Sequence, residues 1–239
     1  MTNVLHGGRH FYGFDIGVLV LDNSNPRPLG DIGNAQTWDF PILYEVVESA
    51  SAQHVVEEGA AGLLPAFIEG ARKLERLGVK AILTSCGFLA VFQRELAAAV
   101  GVPVATSSLL QLPLALQAVS PERKICVLTI NGEKLTREYF ESVGVREEDM
   151  DRITVVGLEH SEMLYSALIL RSGVLDVDVA RADMVAAARG AVDADDSIGA
   201  FVMECTNMPP YTEAVRAATG LPVWDVVTLG NTLYRAVSG

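Results

Sequence analysis

Cysteine is scarce in this sequence, and its three cysteines show no paired spacing. They lie far apart, at Cys86, Cys126 and Cys205, and no Cys-x-x-Cys motif occurs. This spacing argues against a disulfide framework and against a zinc cluster, so we expect no bound metal. Unpaired cysteines of this kind are typical of a reducing compartment, and we therefore expect a cytoplasmic protein.

Long apolar runs and a surplus of positive charge are also missing. No apolar stretch approaches the roughly 18 residues of a membrane helix, and residues 1–13 lack the apolar core of a signal peptide, so we expect a loose start and no membrane partner. The formal net charge is -12, from 18 basic and 30 acidic residues. This balance argues against binding to nucleic acid. A carboxylate substrate would have to be held by local groups, because the overall field repels it.

Common cofactor and nucleophile motifs do not occur either. Residues 30–33, Gly-Asp-Ile-Gly, do not form a dinucleotide fingerprint, and no G-x-x-x-x-G-K-[ST] loop is found. Residues 84–88 lack the flanking glycines of a nucleophile elbow.

The chain does contain a repeated segment. Residues 82–88 and 201–207 each run from a short apolar stretch to a cysteine. A glycine and a proline follow each cysteine at +15 and +17, namely Gly101 and Pro103 in the first copy and Gly220 and Pro222 in the second. Residues 16–22 and 125–131 form a second matched pair in the same order. The repeat predicts two similar halves, with chance as the alternative.

Strand and helix patterns alternate along both halves, which predicts an α/β fold of parallel sheets flanked by helices. The strand after Gly220 matches the one after Gly101, so the C-terminal segment is expected to cross back to the first half. The predicted lobes are residues 1–119 with about 220–239, and residues 120–219. Residues 44–58 have a mixed pattern that fits neither element type well.

Cys86 and Cys205 are each predicted to stand where a strand ends and a helix starts. Unpaired N–H groups at a helix start carry partial positive charge, so they would lower a thiol pKa below about 8.5 and could hold a carboxylate. If a two-fold axis relates the halves, both thiols face one cleft. One thiolate would then remove a proton from one face of a carbon, and the other thiol would deliver a proton to the opposite face. Such a pair inverts a stereocentre without a cofactor.

Other polar residues are candidates for the same cleft. Asp22 and Asn23 end a strand of the first half, and Thr129 and Asn131 end its counterpart in the second. These residues either reach the cleft or simply start turns. His160 either assists a cysteine or is a polar surface histidine.

Three further features have structural alternatives. Residues 22–41 form a long loop rich in turn formers at the ligand-binding end of a strand, and this loop either covers the cleft or decorates the surface. Cys126 aligns with Gly17 inside a strand, so we predict that it belongs to the core. Glu204 is predicted to point away from Cys205, toward solvent or a structural ion pair.

With these features the sequence resembles the aspartate/glutamate racemase superfamily, which includes hydantoin racemases, maleate isomerases, arylmalonate decarboxylases and dimethylsulfoniopropionate lyases. The resemblance implies two pseudo-symmetric Rossmann-like domains with the active site in the cleft between them, no cofactor, and Cys86 and Cys205 as the acid/base pair. Cys205-Thr206 matches the usual second motif. The first, Cys86-Gly87-Phe88, departs from the Cys-Asn-Thr of amino-acid racemases, and Phe88 offers an apolar wall instead.

Three hypotheses follow for the function. The first is a cofactor-independent racemase or epimerase of a small carboxylate; the second is a lyase on the same scaffold, by β-elimination or decarboxylation; the third is a non-catalytic two-lobed binding protein. A small-molecule carboxylate is the expected partner, and a homo-oligomer is an open alternative. The predicted substrate-binding residues are Asp22, Asn23, Ser85, Gly87, Phe88, Thr129, Asn131, Thr206 and Asn207.

Overall fold

The chain forms two four-stranded parallel sheets in a computed structural model that describes residues 7–10 and 12–239. The loose start predicted for residues 1–13 therefore lies partly outside the described residues. The first sheet consists of β1 (Ile16–Leu21), β2 (Ile42–Val47), β3 (Ala81–Thr84) and β4 (Val104–Ala105). The second consists of β5 (Lys124–Thr129), β6 (Ile153–Gly157), β7 (Ile198–Met203) and β8 (Val223–Trp224).

Both sheets have the same strand order, β2-β1-β3-β4 in the first and β6-β5-β7-β8 in the second. All of the strand pairs are parallel. The matched segments of the sequence are thus the two central strands of each sheet, β1 with β3 and β5 with β7. This shared order confirms the predicted α/β architecture of two pseudo-symmetric halves.

Helices cover the faces of the two sheets. They are α1 (Ala52–Glu57), α2 (Leu64–Leu77), α3 (Gln93–Ala99), α4 (Leu112–Ala118), α5 (Arg137–Ser142), α6 (Glu162–Leu168), α7 (Val177–Ala194), α8 (Thr212–Thr219) and α9 (Val226–Val237). Helix α2 shows why they form where they do: Phe67, Ala71 and Leu74 lie on its buried face, and Gly78 ends it in the left-handed conformation, with φ of 98°. Within residues 7–10 and 12–239, no helix combines the length and apolarity needed to cross a membrane.

The central strands are buried on both faces. Leu19 and Ile82 in the first sheet and Val127 and Val202 in the second are inaccessible to solvent. Cys126 is equally buried in β5, in the core position predicted for it. Near-continuous apolar strands of this kind are expected where helices cover both faces of a parallel sheet.

The C-terminal segment joins the two halves. Strand β8 pairs with β7 in the second sheet, with Phe201 opposite Val223. Helix α9, capped by Asp225 through the N–H of Thr228 at 2.8 Å, then packs Val226 against the first sheet. The lobe boundaries given above remain a prediction.

Candidate active site

A small cavity between the two halves contains both cysteines of the repeat. Its free volume is about 20 Å³, which is room for about one water molecule. The two central strands β3 and β7 end at this cavity, where ligands bind in open α/β sheets. Its lining residues are Leu21, Asn23, Ala52, Val56, Ser85, Cys86, Phe88, Ile130, Leu168, Ile169, Glu204, Cys205, Thr206 and Asn207.

Cys86 lies two residues after β3 and precedes a 3₁₀ helix, Gly87–Phe92. Its carbonyl accepts a hydrogen bond from the N–H of Leu89 at 3.2 Å. Burial raises the pKa of the Cys86 thiol, and the charge of Glu204 raises it further, while the N–H of Phe88 lowers it. Cys86 is the N-cap residue of this 3₁₀ helix, which leads directly into α3 at Gln93, so a helix starts at this cysteine as predicted, with its first part in the 3₁₀ form.

Cys205 lies in a turn after β7, closed by a hydrogen bond from the N–H of Met208 to the Cys205 carbonyl at 3.1 Å. A 3₁₀ helix, Pro209–Tyr211, separates this turn from α8. The helix predicted to start at Cys205 therefore begins after this turn, as a 3₁₀ helix from Pro209 that continues into α8 at Thr212. The two prolines carry no N–H, so they cannot donate the backbone hydrogen bonds of a helix that begins at the cysteine.

The predicted lowering of the thiol pKa values is also wrong. Burial raises the pKa of both thiols, and the charge of Glu204 is the second cause for each. For Cys205, the N–H of Asn207 acts in the opposite direction but is outweighed. Loss of solvent disfavours the charged thiolate more than single N–H groups of short turns favour it. A resting thiol pair is therefore expected at neutral pH.

Glu204 lines the cavity, and the prediction that it points toward solvent or a structural ion pair is wrong. It is inaccessible to solvent, and it accepts a hydrogen bond through Oε2 from the hydroxyl of Thr129 at 2.7 Å. Its Oε1 has no hydrogen-bond partner in the described part of the chain. Burial raises the pKa of the carboxyl group from 4.5 to about 8.

The reason for the wrong assignment is the burial of β7 on both faces. Alternation along a strand separates a core face from a solvent face only where one face is exposed, and β7 has no such face. Glu204 also lies beyond the last strand residue, Met203, where alternation no longer applies. The repeat does contain a signal for Glu204: it directly precedes Cys205, as Ser85 directly precedes Cys86.

Gly87 packs directly against Glu204. A side chain at Gly87 would meet both the Oε1 atom and the backbone carbonyl oxygen of Glu204. The space that an asparagine side chain would need after Cys86 is therefore filled by the carboxyl group. This close approach gives a physical reason for the departure from the Cys-Asn-Thr motif of amino-acid racemases.

The long loop before β2 contacts the Cys205 side of the cavity through a chain of polar groups. The thiol of Cys205 donates to Oδ1 of Asn207 at 3.6 Å, and Nδ2 of Asn207 donates to Oδ2 of Asp31. Arg27 donates to Oδ1 of Asp31 at 2.8 Å and to Oδ1 of Asn23 at 2.7 Å. The loop thus lies against the second cysteine, and Asn23 lines the cavity.

Two of the predicted substrate-binding residues hold the halves together. The hydroxyl of Thr206 donates to the carbonyl of Ser85 at 2.6 Å, across the cleft. The hydroxyl of Ser85 accepts from the N–H of Leu21 at 2.9 Å. The first bond links the segments that carry the two thiols, and the second fixes Ser85 within the first half.

Other predicted residues lie outside the cavity. Asp22 is exposed to solvent, and Asn131 donates to the carboxylate of Glu57 at 3.0 Å instead of lining the cavity. His160 is exposed, in a separate surface pocket beside Tyr165. The structure therefore brings Asn23, Ser85, Phe88, Thr206 and Asn207 together with the two cysteines, and it does not bring Asp22, Asn131 or His160 to them.

No protein-family model matches this chain, but curated proteins do. Dimethylsulfoniopropionate lyase 3 of Emiliania huxleyi (strain CCMP1516) is 32% identical over 233 residues, which cover 93% of this chain and 59% of that protein. Dimethylsulfoniopropionate lyase 7 of the same strain is 31% identical over 229 residues, 93% of this chain and 67% of that protein. The dimethylsulfoniopropionate lyase of Durusdinium sp. clade D is 28% identical over 224 residues, 92% and 74% of the two chains. The chain thus spans less than two thirds of the first of these relatives.

Solved structures share the fold at lower identity. Arylmalonate decarboxylase superposes with a TM-score of 0.57 at 15% identity, covering 94% of this chain and 92% of the other. A glutamate racemase isoform from Bacillus anthracis gives 0.59 at 15% identity, with 94% and 83% coverage. Aspartate racemase of Picrophilus torridus gives 0.56 at 13% identity, with 93% and 94% coverage. The solved structures show that the chain has the fold of the aspartate and glutamate racemases and of arylmalonate decarboxylase, and the 31% identity to lyase 7, over 93% of this chain and 67% of that protein, shows that it belongs to the dimethylsulfoniopropionate lyase family.

Proposed function

We propose that the protein is a cofactor-independent lyase that eliminates a β leaving group from a small carboxylate, with dimethylsulfoniopropionate as its substrate. The observation that carries the proposal is that Cys86 and Cys205 line one cavity. The names of the relatives, at 28 to 32% identity, support elimination over the racemisation that the sequence analysis ranked first.

The chemistry needs one base. Dimethylsulfoniopropionate carries its carboxylate at C1 and the dimethylsulfonio group at C3. A cysteine thiolate removes a proton from C2, the C2=C3 double bond forms, and the C3–S bond breaks with its electron pair going to sulfur. Dimethyl sulfide and acrylate leave, and the proton stays on the cysteine.

The charge balance of the cavity supports a zwitterionic substrate. Among the described residues that line it, none is a lysine, an arginine or a histidine. A second carboxylate, as in aspartate or glutamate, would therefore find no cation there. A sulfonium group brings its own positive charge beside the two thiols and lowers their pKa, which favours the thiolate that the reaction requires.

Racemisation of a monocarboxylate is the second candidate, because both cysteines are present and line the same cavity. Inversion needs a group on each face of the carbon, so it needs both thiols. Elimination needs a single abstracting base. The two reactions also differ in product, an inverted stereocentre against an alkene acid.

The test is an assay of the purified protein with dimethylsulfoniopropionate and no added cofactor. Acrylate is followed by proton NMR and dimethyl sulfide by gas chromatography. We expect Cys86→Ser or Cys205→Ser, whichever removes the base, to lower the rate by about 10² to 10⁴. Cys126→Ala is the matched control, since Cys126 lies in the core of β5, and it should keep the rate.

The outcome against the proposal is equally concrete. A panel of chiral monocarboxylates in D2O is run beside the lyase assay. Inversion of a stereocentre that needs both cysteines, with no acrylate from dimethylsulfoniopropionate, would replace the lyase by a racemase.

A further inference from the structure

Glu204 is a buried acid in the cavity that the elimination described above does not use. It follows β7, lines the cavity together with both thiols and is inaccessible to solvent. It also lies where the halves meet, because the hydroxyl of Ser108 donates to its backbone carbonyl at 3.3 Å. Its position is thus defined by both halves.

The surroundings of the carboxyl group fit a neutral acid. One hydroxyl, that of Thr129, donates to Oε2, and within the described residues Oε1 has no partner and no cation pairs with the group. A buried carboxylate costs several kcal/mol unless a cation or several donors surround it. The single donor is not enough to stabilise a buried carboxylate. A protonated carboxyl group, with its hydrogen on Oε1, carries no charge and does not need that stabilisation.

We propose that Glu204 is held as a neutral carboxylic acid and that its Oε1–H donates a hydrogen bond to the substrate carboxylate in the cavity. As to the ligand, this inference rests on the proposed function. Removal of a proton next to a carboxylate moves further negative charge onto the carboxylate oxygens. A fixed donor in a dry site stabilises that charge more in the transition state than in the bound substrate. An ionised Glu204 would repel the same oxygens.

The acid–base groups around Glu204 agree with this assignment. Burial raises its pKa to about 8. The titratable groups that face it are Cys86 at the end of the first half, Cys205 next to it in sequence, and Tyr139 on α5, whose pKa burial raises to about 12. The pKa values of all three are raised partly by the charge of Glu204, so Glu204 is the first of the four to lose its proton as the pH rises.

Two substitutions of Glu204 distinguish a role as hydrogen-bond donor from a role as negative charge. Glu204→Gln keeps a neutral donor of the same shape, and Glu204→Leu keeps the volume without a donor. We expect the Gln variant to retain acrylate formation within about tenfold of the parent and the Leu variant to lose about 10² to 10³, the usual loss for one such donor. Glu213→Gln is the matched control, because Glu213 is an exposed carboxylate on α8 paired with Arg216.

The pH profile gives a sharper contrast. Acrylate formation by the parent should fall as the pH rises through about 8, whereas the Gln variant should not fall there. A Gln variant as inactive as the Leu variant would mean that the charge is needed, and a fully active Leu variant would mean that the group does nothing. Either result overturns the inference, and circular dichroism shows whether the Leu variant is folded.

A spectroscopic readout tests the protonation independently of turnover. Infrared difference spectra between the parent and Glu204→Gln should show the C=O stretch of a protonated carboxyl group at neutral pH, lost above pH 8. Added propionate, a carboxylate probe that cannot eliminate, should shift the band to lower frequency. If the band is absent at neutral pH or insensitive to propionate, the inference fails even with an active lyase. If the band behaves as expected but no acrylate forms from dimethylsulfoniopropionate, the proposed function fails and the neutral acid stands.

Discussion

At the scale of single residues, the repeat predicted the two cysteines of the cavity but not Glu204, the charged group with the largest effect on their pKa values after burial itself. Cys86 and Cys205 were found because the same spacing of glycine and proline follows each of them. Glu204 was not, because its burial depends on helices that cover both faces of a sheet. Its effect on the thiol pKa values also depends on tertiary packing. N–H groups at helix starts were expected to lower these pKa values, and packing raises them instead.

This packing has a consequence for stability. The pKa of Glu204 is raised from 4.5 to about 8 in the folded protein, so the native state keeps a proton that the unfolded chain releases. The stabilisation from the protonated Glu204 carboxyl group is fully present below its ordinary pKa of 4.5 and is lost as the pH rises through about 8. The parent should therefore lose unfolding free energy relative to Glu204→Gln in this range, by up to about 1.4 kcal/mol per pH unit.

Urea denaturation of both proteins at about pH 5 and about pH 8 measures the difference. Glu213→Gln, on the exposed side of α8, serves as the control for the loss of a surface carboxylate. A constant offset between the parent and Glu204→Gln at the two pH values would contradict the raised pKa.

At the scale of elements, long apolar runs were predictable and short ones were not. Strand β7, Ile198–Met203, contains the apolar stretch that the repeat marks before Cys205, because a mostly apolar run that ends at polar residues leaves little ambiguity. Residues 44–58 could not be assigned because they hold a half-buried edge strand followed by the six-residue helix α1. A helix was predicted after each cysteine but not its 3₁₀ form, since the six residues after Cys86 and the three at Pro209–Tyr211 are too few to distinguish a period of 3.0 from one of 3.6.

Asp31, in the loop before β2, affects the two thiols unequally. The charge of Asp31 is among the causes that raise the pKa of the Cys205 thiol, and it is not among those for Cys86. Asp31→Asn keeps a side chain of the same size but removes the charge. The pKa of Cys205 should therefore fall, and its alkylation by iodoacetamide should quicken at a fixed pH, with a smaller change at Cys86.

Alkylation at each cysteine is read by mass spectrometry of the digested protein. Asp22→Asn, an exposed change at the start of the same loop, is the matched control and should leave both rates as they were. Equal acceleration of Cys86 and Cys205 in Asp31→Asn would point to a loosened loop instead of an electrostatic effect.

At the scale of the whole molecule, two similar halves enclose a cavity smaller than any carboxylate substrate. The sequence predicted the halves and the cleft from the repeat. It could not predict how far the cleft is closed, because closure depends on contacts between segments distant in the chain. A free volume of about 20 Å³ means that the halves, or the elements over the cavity, have to move apart for a substrate to enter.

Glu57 at the end of α1 is a contact that holds the two halves together. Its carboxylate accepts from Nδ2 of Asn131 at 3.0 Å and from the hydroxyl of Tyr165 at 3.1 Å, and it lies 3.8 Å from Nζ of Lys134. All three partners belong to the second half. Glu57→Ala removes these contacts together, so it should raise the open fraction and increase the alkylation rate of Cys86 and Cys205 several-fold.

The neighbouring Glu58→Ala is the matched control, because Glu58 is exposed and its carboxylate lies 3.8 Å from Nε2 of His54 in the same half. Cys126, buried in β5, is an internal reference whose alkylation reports global unfolding. Faster reaction at Cys86 and Cys205 with no change at Cys126 would show that the cleft opens while each half stays folded. If Glu57→Ala reacts no faster than Glu58→Ala, Glu57 does not hold the cleft closed.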